Sequence, residues 1–258
     1  MRSRRSFHLP ISQGELAALT RDLDELHHAT LPAMRSAAAE WSEELRTTRR
    51  RFLAGGAAFG GLLLAGCGDA RDEGEETRGE VLGARQPRPP TGDFAIAALA
   101  ASIENLAVAT YQMGIAAADA GRLGPVPPAV AGFARTAQRH HADHAGAWNE
   151  VLANGGRVTV DGIDETAESE VVDPALGQLT DVAGLARVAL SLENVAAATY
   201  LRSIANLENT GARKVAASIQ PVEMQHAAIL SFLLGQYPVP DSFAKEDGAR
   251  PLSDRIAQ

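Results

Sequence analysis

Ser102-Ile-Glu-Asn-Leu-Ala-Val-Ala-Thr-Tyr111 and Ser191-Leu-Glu-Asn-Val-Ala-Ala-Ala-Thr-Tyr200 are nearly the same ten residues written twice. Each sets one glutamate, Glu104 or Glu193, inside an apolar run with helical periodicity, and each ends on a tyrosine seven residues later. A second helix-like run follows each. The first presents His141-Ala-Asp-His144 and the second Glu223-Met-Gln-His226. The pattern reads as one helical hairpin used twice, an all-α four-helix bundle with these polar side chains turned inward. Alanine and glycine are abundant and aromatics are few, which suits close-packed helices better than a β-sandwich.

Punctuation supports the same reading. The first helix runs from Asp93 to about Ala120, with Asp93 or Thr91 able to cap its start, and Gly121 to Pro128 breaks it. The second runs from Pro128 to Asn154, with prolines at its first turn and Asn154-Gly155-Gly156 as its stop. Arg157 to about Gly177 is acidic and weakly periodic. It reads as one long connection with a short extended piece at Arg157–Val160. The third helix spans about Leu179 to Leu207 and the fourth about Arg213 to Gly235, with Pro221 inside the fourth expected to bend it.

Two short-turn hairpins joined by one long crossover match the connectivity of ferritin-like bundles. Residues 93–236 resemble the ferritin-like superfamily, and more narrowly the exported ferritin-like domain proteins of bacteria. In di-iron carboxylate bundles, two helices give one glutamate each and two give Glu-x-x-His, because residues three apart share a helix face. By that resemblance, Glu104, Glu193, Glu223, His141, His144 and His226 are the metal ligands. Tyr111 and Tyr200 would orient carboxylates on the facing hairpin. The chain departs from the pattern at His141, which stands where Glu223 stands in the other half. Three glutamates then face two divalent ions instead of four. His140, four residues before His144, is a rival ligand, and Asp143 is expected to face solvent. The resemblance implies two Fe ions, or Mn, with a single Fe or Zn as the lesser form, and ferroxidase or oxygen- or peroxide-consuming chemistry. Whether the chain is an enzyme stays open at this point. The alternative is a metal-free structural or desiccation-protection protein with a degenerate site.

Upstream, Thr48-Arg49-Arg50-Arg51-Phe52-Leu53 resembles a twin-arginine export signal. The apolar run that follows ends in Leu64-Ala65-Gly66-Cys67, which resembles a lipobox. The run is shorter than the roughly 20 residues that span a bilayer. Residues 1–67 therefore read as a leader and lipoprotein signal, with Met1–Leu45 mobile apart from weak periodicity at Leu16, Leu19, Leu23 and Leu26. A start at Met34 would leave a leader of ordinary length. Cys67 would carry lipid, fixing the protein to the outer face of the cytoplasmic membrane. Residues 68–92 read as a flexible tether and residues 237–258 as a tail, either an extended strap or disordered. Cys67 is the only cysteine, so no intramolecular disulfide can form and no Cys-x-x-Cys electron-transfer module is present. With 32 acidic against 24 basic residues, a net charge of −8, nucleic acid is not an expected partner. A monomer or homodimer is expected.

Overall fold

The computed structural model describes residues 10–60, 91–176, 179–241 and 243–252, without the side chains of residues 48–60 and 175. The side chains of the twin-arginine motif, the lipobox, residues 68–90 of the tether and the last six residues lie outside that description. Among the described residues the chain is helical: α1 Gln13–Gly60, α2 Asp93–Asp119, α3 Pro128–Asn154, α4 Glu165–Ala167, a π-helical turn Glu168–Val172, α5 Asp173–Leu176, α6 Val182–Asn206 and α7 Thr210–Leu233.

The two hairpins are α2–α3 and α6–α7, and they pack through α2 against α6. Side-chain caps set two of the starts. Asp181 accepts from the Gly184 N–H at 2.8 Å, and Asn209 accepts from the Ala212 N–H at 3.0 Å. The expected caps of α2 are not used. Its N-cap is Gly92, at φ 60°, with no side-chain cap. The Asp93 carboxylate instead accepts the backbone N–H groups of Glu208 and Asn209 at 2.9 and 2.7 Å. It thereby ties the α6–α7 turn to the base of α2. By length and mean hydropathy α2 could cross a membrane, but 72% of its most apolar window is buried within the protein. It is a core helix.

The crossover is more ordered than its weak periodicity suggests. Asp164 caps α4 and pairs with the buried Arg250 of the tail at 2.9 Å. No strand ladder forms at Arg157–Val160. Asn149 and Asn105 hold the Val160 backbone in place of a strand partner. The tail crosses α6 as a strap: the Arg250 N–H donates to Thr199 Oγ1, and Arg202 grips the carbonyls of Ala249 and Arg250. α7 continues through Pro221 without a break.

The main correction concerns the N-terminal segment. Residues expected to be mobile form α1, which lies on α3 and α7 as a fifth long helix. Its buried face is Leu16, Thr20, Leu23, His27, Met34, Ala37, Ala38, Trp41 and Ser42. These follow the three-four alternation of an amphipathic helix. Leu19 and Leu26 lie off that face and are exposed. Trp41 stacks on Phe94 of α2 at 5.2 Å between ring centres. Gly211 makes the close approach of α1 and α7 feasible, since a Cβ there would lie 2.7 Å from the Ala37 carbonyl oxygen and 3.0 Å from Trp41 Cβ.

Candidate metal centre

α2 and α6 each carry one glutamate in the middle of an apolar helix, and α3 and α7 each carry a pair three residues apart. Packing the hairpins brings all six side chains to one place. Glu104, His141, His144, Glu193, Glu223 and His226 are each at most 1% exposed. They form two overlapping sets whose donor atoms lie within 4.8 Å of one another: Glu104, His141, His144 and Glu223; and His141, Glu193, Glu223 and His226. Glu223 and His141 belong to both sets.

The tyrosines cross between hairpins. Tyr111 of α2 donates to Glu193 Oε1 at 2.5 Å, and Tyr200 of α6 donates to Glu104 Oε1 at 2.5 Å. Trp148 Nε1–H donates to the Tyr200 oxygen at 2.9 Å. One oxygen of each glutamate is thereby fixed and the other turns inward. His141 spans the two, with Nδ1 2.7 Å from Glu104 Oε2 and Nε2 3.2 Å from Glu193 Oε1.

Not every close pair is a bond. His144 Nδ1 is 3.0 Å from Glu223 Oε1, and His226 Nδ1 is 3.4 Å from Glu193 Oε2, yet none of these atoms has a hydrogen-bond partner of acceptable geometry. Both oxygens of Glu223 are in the same condition. Buried donors and acceptors are normally paired, because an unpaired one costs about 1–3 kcal/mol. Five such atoms, three carboxylate oxygens and two imidazole nitrogens, are shared between the two overlapping sets, and their chemistry suits divalent transition ions.

Protons and charge follow this crowding. Burial alone would lower His144, but Glu104 and Glu223 raise it to about 9. His141 and His226 are likewise raised by their glutamates against the pull of burial. Burial would raise Glu104, but His144 and His141 hold it down to about 2. Glu193 is driven down the same way by His141 and His226. Burial, then the neighbouring glutamate, pushes both tyrosines up, so they remain donors. Without metal the site is a cluster of imidazoliums and carboxylates.

A family model described as the ferritin-like domain matches residues 92–236, more than half of the chain. The chain belongs to the ferritin-like domain family. No curated protein and no solved structure matches it. The match covers both hairpins and the crossover of the ferritin-like bundle and leaves α1 outside. Beside the cluster, a cavity of about 50 Å³ is lined almost wholly by hydrocarbon, including Gly114, Leu123, Leu185 and Leu230, with Tyr111 and Phe133 between it and the histidines.

Behind the cluster lies a layer shared by α3 and α1, of which only the α1 residues fall outside the match. His140 is buried but faces away from the converging atoms. Its Nδ1 is 3.2 Å from His226 Nε2 and its Nε2 2.9 Å from Asp24 Oδ1 of α1. His27 stacks on the His140 ring at 3.8 Å and 13°. Asp143, expected in solvent, is only partly exposed, 3.4 Å from His27 Nε2 and 3.3 Å from Arg35. One sequence signal could have exposed α1 as a formed helix: Ser12-x-x-Glu15 is a capping box, and both reciprocal bonds are present at 3.0 and 3.2 Å.

Proposed function

We propose that this ferritin-like protein is a dinuclear metal protein, with iron or manganese between its four central helices. Glu104, Glu193 and Glu223 would supply the oxygen donors and His141, His144 and His226 the nitrogen donors, with Glu223 and His141 in both donor sets. The observation that carries the reading is the five buried donor atoms without hydrogen bonds, which fall in two overlapping sets of potential ligands. Two Fe(II) ions bound there would supply electrons for the reduction of oxygen or peroxide. The chain's own part is to hold carboxylates through Tyr111 and Tyr200, to exclude bulk water by complete burial, and to surrender protons from the three histidines as metal enters. The hydrocarbon cavity beside Tyr111 suits a small uncharged oxidant. A monomeric or homodimeric state belongs to the same reading. Export by the twin-arginine route and a lipid on Cys67 rest on the sequence motifs, and the cleavage before Cys67 that lipidation requires would part α1 from the bundle.

The test is metal content and the absorption spectrum after anaerobic Fe(II) reconstitution, followed by oxygen or peroxide. About two irons per chain and an oxo-bridge absorption, both lost in Glu223→Ala, are expected. Absence of metal with an intact fold would overturn the reading in favour of a metal-free structural or protective protein. That second reading has one observation of its own: His141, bonded at both nitrogens between Glu104 and Glu193, is an internal cation for the buried acids.

A further inference from the structure

We propose that Asp24 of α1 is a positioning residue of the metal centre: through His140 it fixes the ring orientation and tautomer of His226. The inference rests on the metal-binding reading for its effect on affinity and for the neutral form of His226, but the orientation of both rings and the tautomer of His140 do not depend on it. The argument follows the nitrogen atoms. His226 Nδ1 faces Glu193 and Glu223 and lacks a hydrogen-bond partner, so this is the atom available to a cation. A neutral imidazole with a free Nδ1 lone pair carries its proton on Nε2. That proton points at His140 Nδ1, 3.2 Å away, which must therefore accept. His140 then carries its own proton on Nε2 and donates it to Asp24 Oδ1 at 2.9 Å. Every donor meets an acceptor in this arrangement. The opposite tautomers would set the His226 Nδ1–H against the cation site and leave the Asp24 carboxylate facing a lone pair of His140.

The chain of bonds is held from outside. Arg139 Nη2 lies 3.2 Å from both oxygens of Asp24, and His28 lies 3.6 Å from one of them. His27, stacked flat on His140 and paired with Asp143, fixes the plane of the ring. Asp24 and His27 both lie on α1, outside residues 92–236. The family's bundle thus obtains the outer support of one ligand from a helix that the family pattern does not include. Groups behind a metal-bound histidine typically change affinity by about 10–100-fold when removed.

The experiment uses the full chain in four forms: unaltered, Asp24→Ala, Asp24→Asn and Glu40→Ala. Co(II) affinity is read by titration, and the ring nitrogens of His140 and His226 by 15N NMR of metal-free and Zn(II)-loaded protein. Asp24→Ala is expected to weaken Co(II) binding by about 10–100-fold and to shift the ring-nitrogen signals of both histidines. Asp24→Asn retains an oxygen that accepts from His140 and is expected to recover most of the affinity. Glu40 pairs with Lys214 on the exposed side of α1 and is expected to have no effect. Unchanged nitrogen signals and affinity in Asp24→Ala would overturn the inference. If the unaltered chain takes up no Co(II), the metal reading fails on its own. The nitrogen signals of the metal-free forms then still decide whether Asp24 sets the tautomer of His140.

Discussion

His141 has two functions that pull in opposite directions. As an imidazolium between Glu104 and Glu193 it stabilises the metal-free cluster. As a neutral ligand it would give less charge compensation than the carboxylate of the matching position in the other hairpin. His141→Glu is therefore expected to lower the melting temperature of the metal-free protein while tightening the weaker of two ion-binding steps. Paired thermal melts and stepwise Co(II) titrations would show both signs. Tyr200→Phe removes the donor to Glu104 and the acceptor of Trp148. Leaving the buried indole N–H unpaired costs about 1–3 kcal/mol, seen as a lower unfolding midpoint in denaturant. The six converging residues were legible because they sit at the same places in two near-identical segments and their three-residue spacing is fixed by helix geometry. The exchange of hydroxyls between hairpins was legible only as an expectation carried by family resemblance. The roles of His140 and Asp143 were not legible, because each depends on α1, more than a hundred positions away in sequence.

At the scale of the element, α1 depends on close contact with α7. Gly211→Ala would drive a methyl into the Ala37 carbonyl and Trp41. Such overpacking costs about 1–3 kcal/mol. The expected result is a lower melting temperature together with faster proteolysis within residues 13–47, while α2–α7 remain protected. Trp41→Ala empties a site that is 2% exposed and is expected to cost about 3–5 kcal/mol by denaturant titration. The four bundle helices could be read to within a few residues because their caps and glycine stops are local signals. α1 could not. Five of the nine buried residues described in it, Thr20, His27, Ala37, Ala38 and Ser42, carry little apolar signal, whereas Leu19 and Leu26 draw the eye to the wrong face. The crossover was missed as helix for a similar reason, since its turns are short and closed by Asp164 and Arg250.

For the whole molecule, acidity and metal act against each other through the same histidines. His144, raised from 6.5 to about 9, contributes stability that is complete below about pH 6.5 and lost as pH rises through about 9. Glu104, lowered from 4.5 to about 2, contributes stability present above about pH 4.5 and lost as pH falls through about 2. The metal-free protein is therefore expected to be most stable between about pH 4.5 and 6.5, and to soften toward pH 9. Metal must displace protons from the histidines, so its affinity rises over that same alkaline range. The gain in melting temperature on adding Zn(II) should grow from about pH 6 to 9, which differential scanning calorimetry at a series of pH values would check. A gain independent of pH would contradict displacement of those protons.

α1 is joined to the bundle only by the stretch between Gly60 and Asp93, while its own hold is through side chains such as Leu16, Leu23, Met34 and Trp41. With that stretch intact, the helix meets its groove at an effective concentration of about millimolar. Severing the chain there would turn the same contact into an encounter between two molecules. Asp24 would then stand behind His140 only in the fraction of bundles that had kept their helix. Metal affinity, otherwise a fixed property of the fold, would come to depend on how far the protein had been diluted.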